Sequence, residues 1–473
     1  MRCELSLALI ALRAKSASYR LETECQQANN LKVDFMSVSS QRASALTGTI
    51  IAPGDKSISH RALIFGAMAQ GETIVTGLLE GADIMSTASA MRALGATITK
   101  QGERWHVIGC GAKGLQTPQG DVDCGNAGTG VRLIMGAAAG YALKARFIGD
   151  ASLSVRPMGR VLDPLSDMGI SYTSQEGGRL PVTLTSNGKL TPLDYTPPHA
   201  SAQVKSAILL AGLNTKGTTT VTEPTLSRDH TENMLKAFGA DITVKSTGAG
   251  QKVSLTGPIT LQAANVDVPG DPSSAAFAII AALTVPGSDI IIENVMMNPT
   301  RTGLFDTLTE MGAYLRSDNF RSSGGEIIAD IHVKHSKLHG VTVPPERAPS
   351  MIDEYPILAV AAAHASGTTT MRGIAEMRVK ESDRISATVA LLENNGVSTT
   401  EFEDGFAVTG GPVAGGGMVV THHDHRIAMS ALILGLNADA PISIDDSAMI
   451  ATSFPTFFDV MASLGAPING LSA

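Results

Sequence analysis

Lysines and arginines recur in this chain beside small polar residues, at the edges of apolar segments, and that combination binds anions. The runs read Gly54-Asp-Lys-Ser-Ile-Ser-His-Arg61, Gly125-Asn-Ala-Gly-Thr-Gly-Val-Arg132, Ser201-Ala-Gln-Val-Lys205, Gly270-Asp-Pro-Ser-Ser274 and Asp424-His-Arg426. Each leads into an apolar stretch of helical spacing. Free N–H groups and the positive end of a helix dipole attract anions there, and glycine and serine let phosphate oxygens approach the backbone. Arg156, Arg228, Lys380, Arg384 and Arg426 lie at or near loops in equivalent places. An arginine grips a carboxylate or phosphate through two parallel hydrogen bonds. One such loop is more often a plain helix cap, and one such arginine a solvated surface residue. Several in register point to a site for multiply charged anions. His422-His423-Asp-His425 has the look of a metal cluster, but at a helix entrance it reads better as a polar cap, and no metal is expected.

These loops need elements to position them, and the chain supplies a repeat. Residues 78–98, 150–172, 223–244, 293–315, 372–397 and 445–468 each read as loop, amphipathic helix, glycine and strand. The glycines are Gly95, Gly169, Gly239, Gly312, Gly396 and Gly465, spaced 69 to 84 residues apart. Each suits the left-handed position that ends a helix. A more apolar helix precedes each copy, at 59–68, 130–139, 204–213, 273–283, 355–364 and 426–436. Being apolar nearly all round it should be buried, whereas the second helix should show a polar face to water. Units that cannot cover their own apolar faces must pack on their neighbours. Six of them group as three plus three, an α/β chain of two domains with a boundary near residues 266–269.

Bulk properties agree. A chain of 473 residues exceeds one ordinary domain. The net charge of −8 disfavours a nucleic-acid surface. Apolar runs such as 275–283 and 358–363 fall well short of the ~20 residues that span a bilayer, so a soluble chain is expected. Cys3, Cys25, Cys110 and Cys124 are scattered with no C-x-x-C pair, which suits a reducing cytoplasm and no structural zinc. Residues 1–44 read as a poorly ordered extension, or as a start called too early with Met36 the natural first residue. Glu4, Glu22, Glu24 and Asp34 fit neither a secretory signal nor a transit peptide.

From about Ala45 to the C-terminus the chain resembles the 5-enolpyruvylshikimate-3-phosphate synthase family. Lys56-Ser-Ile-Ser-His-Arg61, Asn126-Ala-Gly-Thr-Gly130, Arg378-Val-Lys-Glu-Ser-Asp-Arg384 and Asp424-His-Arg426 carry the likeness. Gly54-Asp-Lys-Ser57, Ser201-Ala-Gln-Val-Lys205, Arg228-Asp-His-Thr-Glu232 and Asn298-Pro-Thr-Arg301 are similar to its second, often glyphosate-tolerant, class. The resemblance implies a two-domain inside-out α/β barrel of six βαβαββ units, three per domain. Residues 45–54 plus 269–473 would form the first domain and 55–268 the second. It implies transfer of the enolpyruvyl group of phosphoenolpyruvate to the 5-hydroxyl of shikimate 3-phosphate, with release of phosphate. Phosphoenolpyruvate would be held by Lys56, Gly128, Arg156, Gln203, Arg384 and Arg426. Shikimate 3-phosphate would be held by Lys56, Ser57, Arg61, Ser201, Ala202, Gln203, Arg228, Asp353 and Lys380. Asp353 would be the base, with Glu381 and Lys56 as proton-transfer groups. No cofactor is implied, and a cytoplasmic monomer is expected.

Two departures stand out. The family's first class carries a lysine before the C-terminal Phe-Pro, where this chain has Ala451-Thr-Ser-Phe-Pro455. Glyphosate-tolerant members carry alanine where this chain has Gly128. The nearest competing reading is the enolpyruvyl transferase acting on UDP-N-acetylglucosamine. That enzyme would show Lys-Asn at the first loop and a reactive cysteine in a mobile one, but here Ser57 follows Lys56 and 149–153 holds no cysteine. A non-catalytic repeat clamp would need a broad basic stripe, which the charge balance opposes.

Overall fold

Two of the helices in this chain, Pro272–Thr284 and Tyr355–Ala363, bury every one of their residues, and four more bury nearly all. Such helices are stable only when enclosed, so the sheets must lie outside them. The computed structural model describes residues Val38–Asn469 as a single unit. Its strands form six four-stranded sheets of one pattern. In the sheet of residues 122–187, Val122–Asp123 pairs parallel with Ala142–Ile148, which pairs antiparallel with Arg179–Asn187 and that with Ser171–Gln175. The helices Gly128–Ala139 and Gly159–Asp167 fall between these strands in sequence, giving βαβαββ. Strand Ala142–Ile148 alternates buried and exposed residues, the mark of a sheet with one face on a core and one in water.

The other five sheets repeat this order, but two units borrow their first strand. Thr47–Ile51 precedes the helix Lys56–Met68, yet pairs with Asp289–Met296. Val266–Asp267 precedes Pro272–Thr284, yet pairs with Glu72–Thr76. The chain therefore crosses twice between two lobes. One core is built from residues 38–52 and 275–466, the other from residues 58–268. At the crossing Gly54 and Gly270 bridge each other, and the Asp55 and Asp271 N–H groups donate to the carbonyls of Pro269 and Pro53 at 2.7 and 2.8 Å.

All six helix-ending glycines are left-handed, with φ between 82° and 114°. The apolar helices begin one to three residues before their periodicity does in five cases, as where the caps Asp55 and Asp271 sit further upstream. The extension expected over 1–44 requires correction at its end. Val38–Ser40 is a strand set between Ile442–Ile444 and Ile468–Asn469, and it closes the sheet of the last unit. The N-terminal segment thus supplies one of the two final strands of that unit. The rest of that reading, and Met36, fall outside the described residues. Among the described residues no helix is long and apolar enough to cross a membrane.

The crossing is tight. A Cβ on Gly54 would lie 2.0 Å from the carbonyl oxygen of Gly77. Backbone cannot yield as a side-chain tip can, so Gly54→Ala should cost at least about 1–3 kcal/mol. A lowered melting temperature is expected, and a wild-type melt would refute this account of the crossing.

Candidate active site

Three helix starts from the second lobe carry the first set of groups. Asp55 caps Lys56–Met68 by accepting from the Ile58 N–H, which puts Lys56 and Ser57 in the first turn. Ser201 caps Ala202–Gly212 and so presents Ala202 and Gln203. Gly128 opens the third helix without a side-chain cap. Gln203 ties the last two of these starts together: its amide donates to Thr129 Oγ1 at 2.9 Å and its carbonyl accepts from Arg132 at 3.0 Å. Arg156 donates to Asn126 at 2.7 Å and to Ser152 at 3.0 Å, beside Gly128. Lys56 pairs with Asp83.

The first lobe supplies the facing set. Asp353 lies just before Tyr355–Ala363, and Asp424 caps His425–Gly435, whose second residue is Arg426. Lys380 and Glu381 follow a short 3-10 turn and lead to Arg384, the first residue of Arg384–Glu393. These groups meet the second lobe directly. Arg228 pairs with Asp353 at 2.7 Å and Arg156 with Glu381 at 3.4 Å. Asp353 also lies 3.1 Å from Arg384 and 3.7 Å from Lys380. Arg384 further grips Glu381 and, at 2.8 Å, Asp424. Arg426 lies 3.5 Å from Glu354. The structure thus brings Arg156, Arg228, Lys380 and Arg384 together with Asp353, Glu381 and Asp424 in one alternating chain, whereas Lys56 and Arg426 pair outside it, with Asp83 and Glu354. Arg61 stands behind it. Buried, it donates to Thr231, to Ser206 and to the carbonyl of Ser57, and so fixes the turn that bears Ser57.

Charge decides the protonation states here. Burial works to raise Asp353, but Lys380, Arg228, Arg426 and Arg384 outweigh it and hold the carboxyl well below the usual range. Glu381 is likewise pushed up by burial and held well below the usual range by Arg384, Arg156 and Lys380. His425 is lowered to about 3 by burial and by Lys56 and Arg426, so it is neutral at pH 7. Its neighbour Asp424 is the helix cap, as the polar-cap reading of His422–His425 requires. His60 is also kept neutral by burial, Lys56 and Arg61, and its Nδ1 meets Thr87 Oγ1 at 2.8 Å.

Sequence reasoning missed Arg132 as a site group. It bonds Gln203, the carbonyl of Gly128 and that of Pro157, and burial beside Arg156 lowers it to about 10. Its place at the end of the run 125–132 was the available signal. The role of the four class-type runs was missed as well, since they pair with one another. Lys205 of the second run contacts Glu232 of the third, and Glu223, at 2.7 Å with no exposure of its side chain. Asp229 of the third accepts from Asn298 of the fourth at 2.8 Å. Arg301 of the fourth binds Asp55 of the first at 2.6 Å. His230, lowered to about 3 by burial, adds a contact across the lobes to Glu326 at 3.1 Å.

Comparison with known proteins fits this geometry. The family model described as EPSP synthase (3-phosphoshikimate 1-carboxyvinyltransferase) matches residues 40–461. A 3-phosphoshikimate 1-carboxyvinyltransferase of Pseudomonas sp. (strain PG2982) is 57% identical over 433 residues, 91% of this chain and 96% of its own. One from Maricaulis maris is 58% identical over 434 residues, with the same shares. The solved EPSP synthase of Acinetobacter baumannii superposes with a TM-score of 0.81 at 44% identity, over 92% of this chain and 99% of its own. The enolpyruvyl transferase NikO from Streptomyces tendae shares the fold, with a TM-score of 0.70 at 20% identity, over 92% and 99% of the two chains. On this match of family, sequence and architecture, the chain belongs to the EPSP synthase family.

Proposed function

We propose that the site transfers the enolpyruvyl group of phosphoenolpyruvate to the 5-hydroxyl of shikimate 3-phosphate and releases phosphate. The observation that carries this reading is the convergence of Arg156, Arg228, Lys380 and Arg384, from both lobes, on Asp353 and Glu381. Two phosphates and two carboxylates need such a density of cations. Lys56, Arg156, Gln203, Arg384 and Arg426, with the backbone at Gly128, hold phosphoenolpyruvate. Lys56, Ser57, Arg61, Ser201, Ala202, Gln203, Arg228, Asp353 and Lys380 hold shikimate 3-phosphate, and Arg61 also fixes the turn that bears Ser57. The domains divide as residues 45–54 plus 269–473 and residues 55–268, a reading supported by the two separate cores.

Asp353, kept ionised, accepts the proton of the 5-hydroxyl as its oxygen adds to C2 of phosphoenolpyruvate. A proton reaches C3 from the Lys56 ammonium, or from Glu381 once it has taken up a proton on substrate binding, giving a methyl group and a tetrahedral intermediate. Loss of phosphate with return of that methyl proton restores the double bond. Substrate anions compete with Asp353 and Glu381 for the same guanidinium groups. Binding therefore weakens the hold that keeps these carboxyls low and makes them better proton carriers. Orienting both reactants contributes up to about 7–11 kcal/mol in well-oriented model reactions. The protein works in the cytoplasm as a monomer.

The UDP-sugar transferase reading expects a reactive cysteine in the segment 149–153, which holds none. Cys124 is buried and its thiol is raised to about 12 by burial and Asp123. Phosphate release from phosphoenolpyruvate should therefore require shikimate 3-phosphate and not occur with UDP-N-acetylglucosamine; the reverse result would overturn the proposal. Lys56→Ala and Asp353→Ala should each lose about 10²–10⁴-fold in turnover, and near-normal rates would mean the roles are misassigned.

The class-type runs support reading the chain as a member of the second class, but Gly128 sets its response to glyphosate. A Cβ there would lie 2.9 Å from Arg156 Nη1 and 3.3 Å from Arg132 Nη1. Glyphosate is longer between its anionic ends than phosphoenolpyruvate, so it loses more when that space is filled. The unmodified protein should be inhibited by glyphosate, and Gly128→Ala should raise the inhibitory concentration at least tenfold with a smaller rise in KM for phosphoenolpyruvate. Equal sensitivity of the two proteins would refute this assignment of Gly128.

A further inference from the structure

Two aspartates occupy equivalent places where the chain crosses between lobes. Asp55 follows Gly54 and caps Lys56–Met68; Asp271 follows Gly270 and caps Pro272–Thr284. The Gly54–Gly270 bridge draws these carboxylates together, and both are buried. Burial and Asp55 together push Asp271 up, against the pull of Arg301 and Arg426. Arg301, 3% exposed, lies between the pair. Its Nη1 donates to Asp55 at 2.6 Å, and its Nη2 donates to Asp271 at 2.9 Å and to Ser273 Oγ at 2.8 Å. The Ser273 hydroxyl in turn donates to Glu354, which lies 3.5 Å from Arg426.

We infer that Arg301 is a positioning residue for the enolpyruvyl transfer: its fork clamps the two crossing segments and so sets Lys56 at one end and, through Ser273 and Glu354, Arg426 at the other. The inference rests on the roles proposed above for Lys56 and Arg426. Arg301 sits at the crossing and acts only through these neighbours. A planar guanidinium can serve two carboxylates at once, whereas a lysine ammonium, a point charge, cannot match that geometry. One buried carboxylate would then lack its counter-charge, and the cap nearest to it would shift. Because Asp55 directly precedes Lys56, that shift reaches the reacting groups. A plain cross-link between lobes would instead lower stability and leave turnover per folded molecule unchanged.

The test uses the full chain as Arg301→Lys, Arg301→Lys with Asp271→Asn, and Ser273→Ala. Melting temperature, kcat and both KM values are measured per folded molecule. Arg301→Lys should lose at least tenfold in kcat. Adding Asp271→Asn should recover most of that loss, because one cation then faces one carboxylate. Ser273→Ala should raise KM for phosphoenolpyruvate at least threefold and leave KM for shikimate 3-phosphate within twofold. Wild-type kinetics in Arg301→Lys, or no recovery in the folded double variant, would overturn the inference. If the single variant fails to fold, the double variant decides: turnover within tenfold of wild type supports the clamp and a larger loss refutes it. Unchanged KM values in Ser273→Ala would remove the link to Arg426. Failure of the unmodified protein to release phosphate with shikimate 3-phosphate would instead strike the functional reading itself.

Discussion

Apolar helices that must be enclosed dictate where this protein can place charge. Each lobe buries three of them behind its sheets, so their middles, such as residues 275–283 and 356–363, carry only apolar side chains. Charged side chains are confined to the first two turns of these helices and to loops beside them. At the starts, unpaired N–H groups also ask for acceptors. Lys56, Gln203 and Arg426 all sit within the first two residues of such helices. The same packing that makes each lobe stable therefore collects its anion-binding groups on one end.

Local signals in the sequence reached far into this structure. The six glycines after the amphipathic helices, Gly95 to Gly465, needed only a left-handed backbone, and each has one. The apolar helices announced themselves by composition. What stayed hidden depends on partners distant in sequence. Val38–Ser40 has three residues and no period, and its partners lie some four hundred residues away. The borrowed strands Thr47–Ile51 and Val266–Asp267 look local and pair elsewhere. The cations at 156, 228, 380, 384 and 426 were legible as types. Which carboxylate each one faces was not, because those pairs join residues up to 225 positions apart. Arg132 and Arg301 were quoted within motifs, yet only their partners reveal that they work behind the surface that meets substrate.

The motif runs also divide in a physically meaningful way. Some of their residues point at the site, such as Lys56, Gln203 and Arg228. The others, Asp55, Lys205, Asp229, Glu232, Asn298 and Arg301, bind one another in buried contacts. Removing one partner of a buried pair leaves the other charge uncompensated, at a cost of about 3–5 kcal/mol. Such residues can change only together. The internal pairs thus sit beside the proposed ligand contacts in the same short runs.

A site lined only by cations would bind anions, but it would also drive the two lobes apart. Interleaving Asp353, Glu381 and Asp424 with Arg228, Arg384 and Arg156 solves that problem, because each guanidinium then meets a carboxylate instead of another cation. In the proposed reaction the arrangement does a second task. Substrate phosphates and carboxylates draw the cations toward themselves, and the protein carboxylates are left less stabilised in their ionised form. Their affinity for protons rises at the moment when a proton must be taken from the hydroxyl and another delivered to carbon. The same ion pairs therefore hold the lobes together, select for multiply charged ligands and tune the groups that move protons.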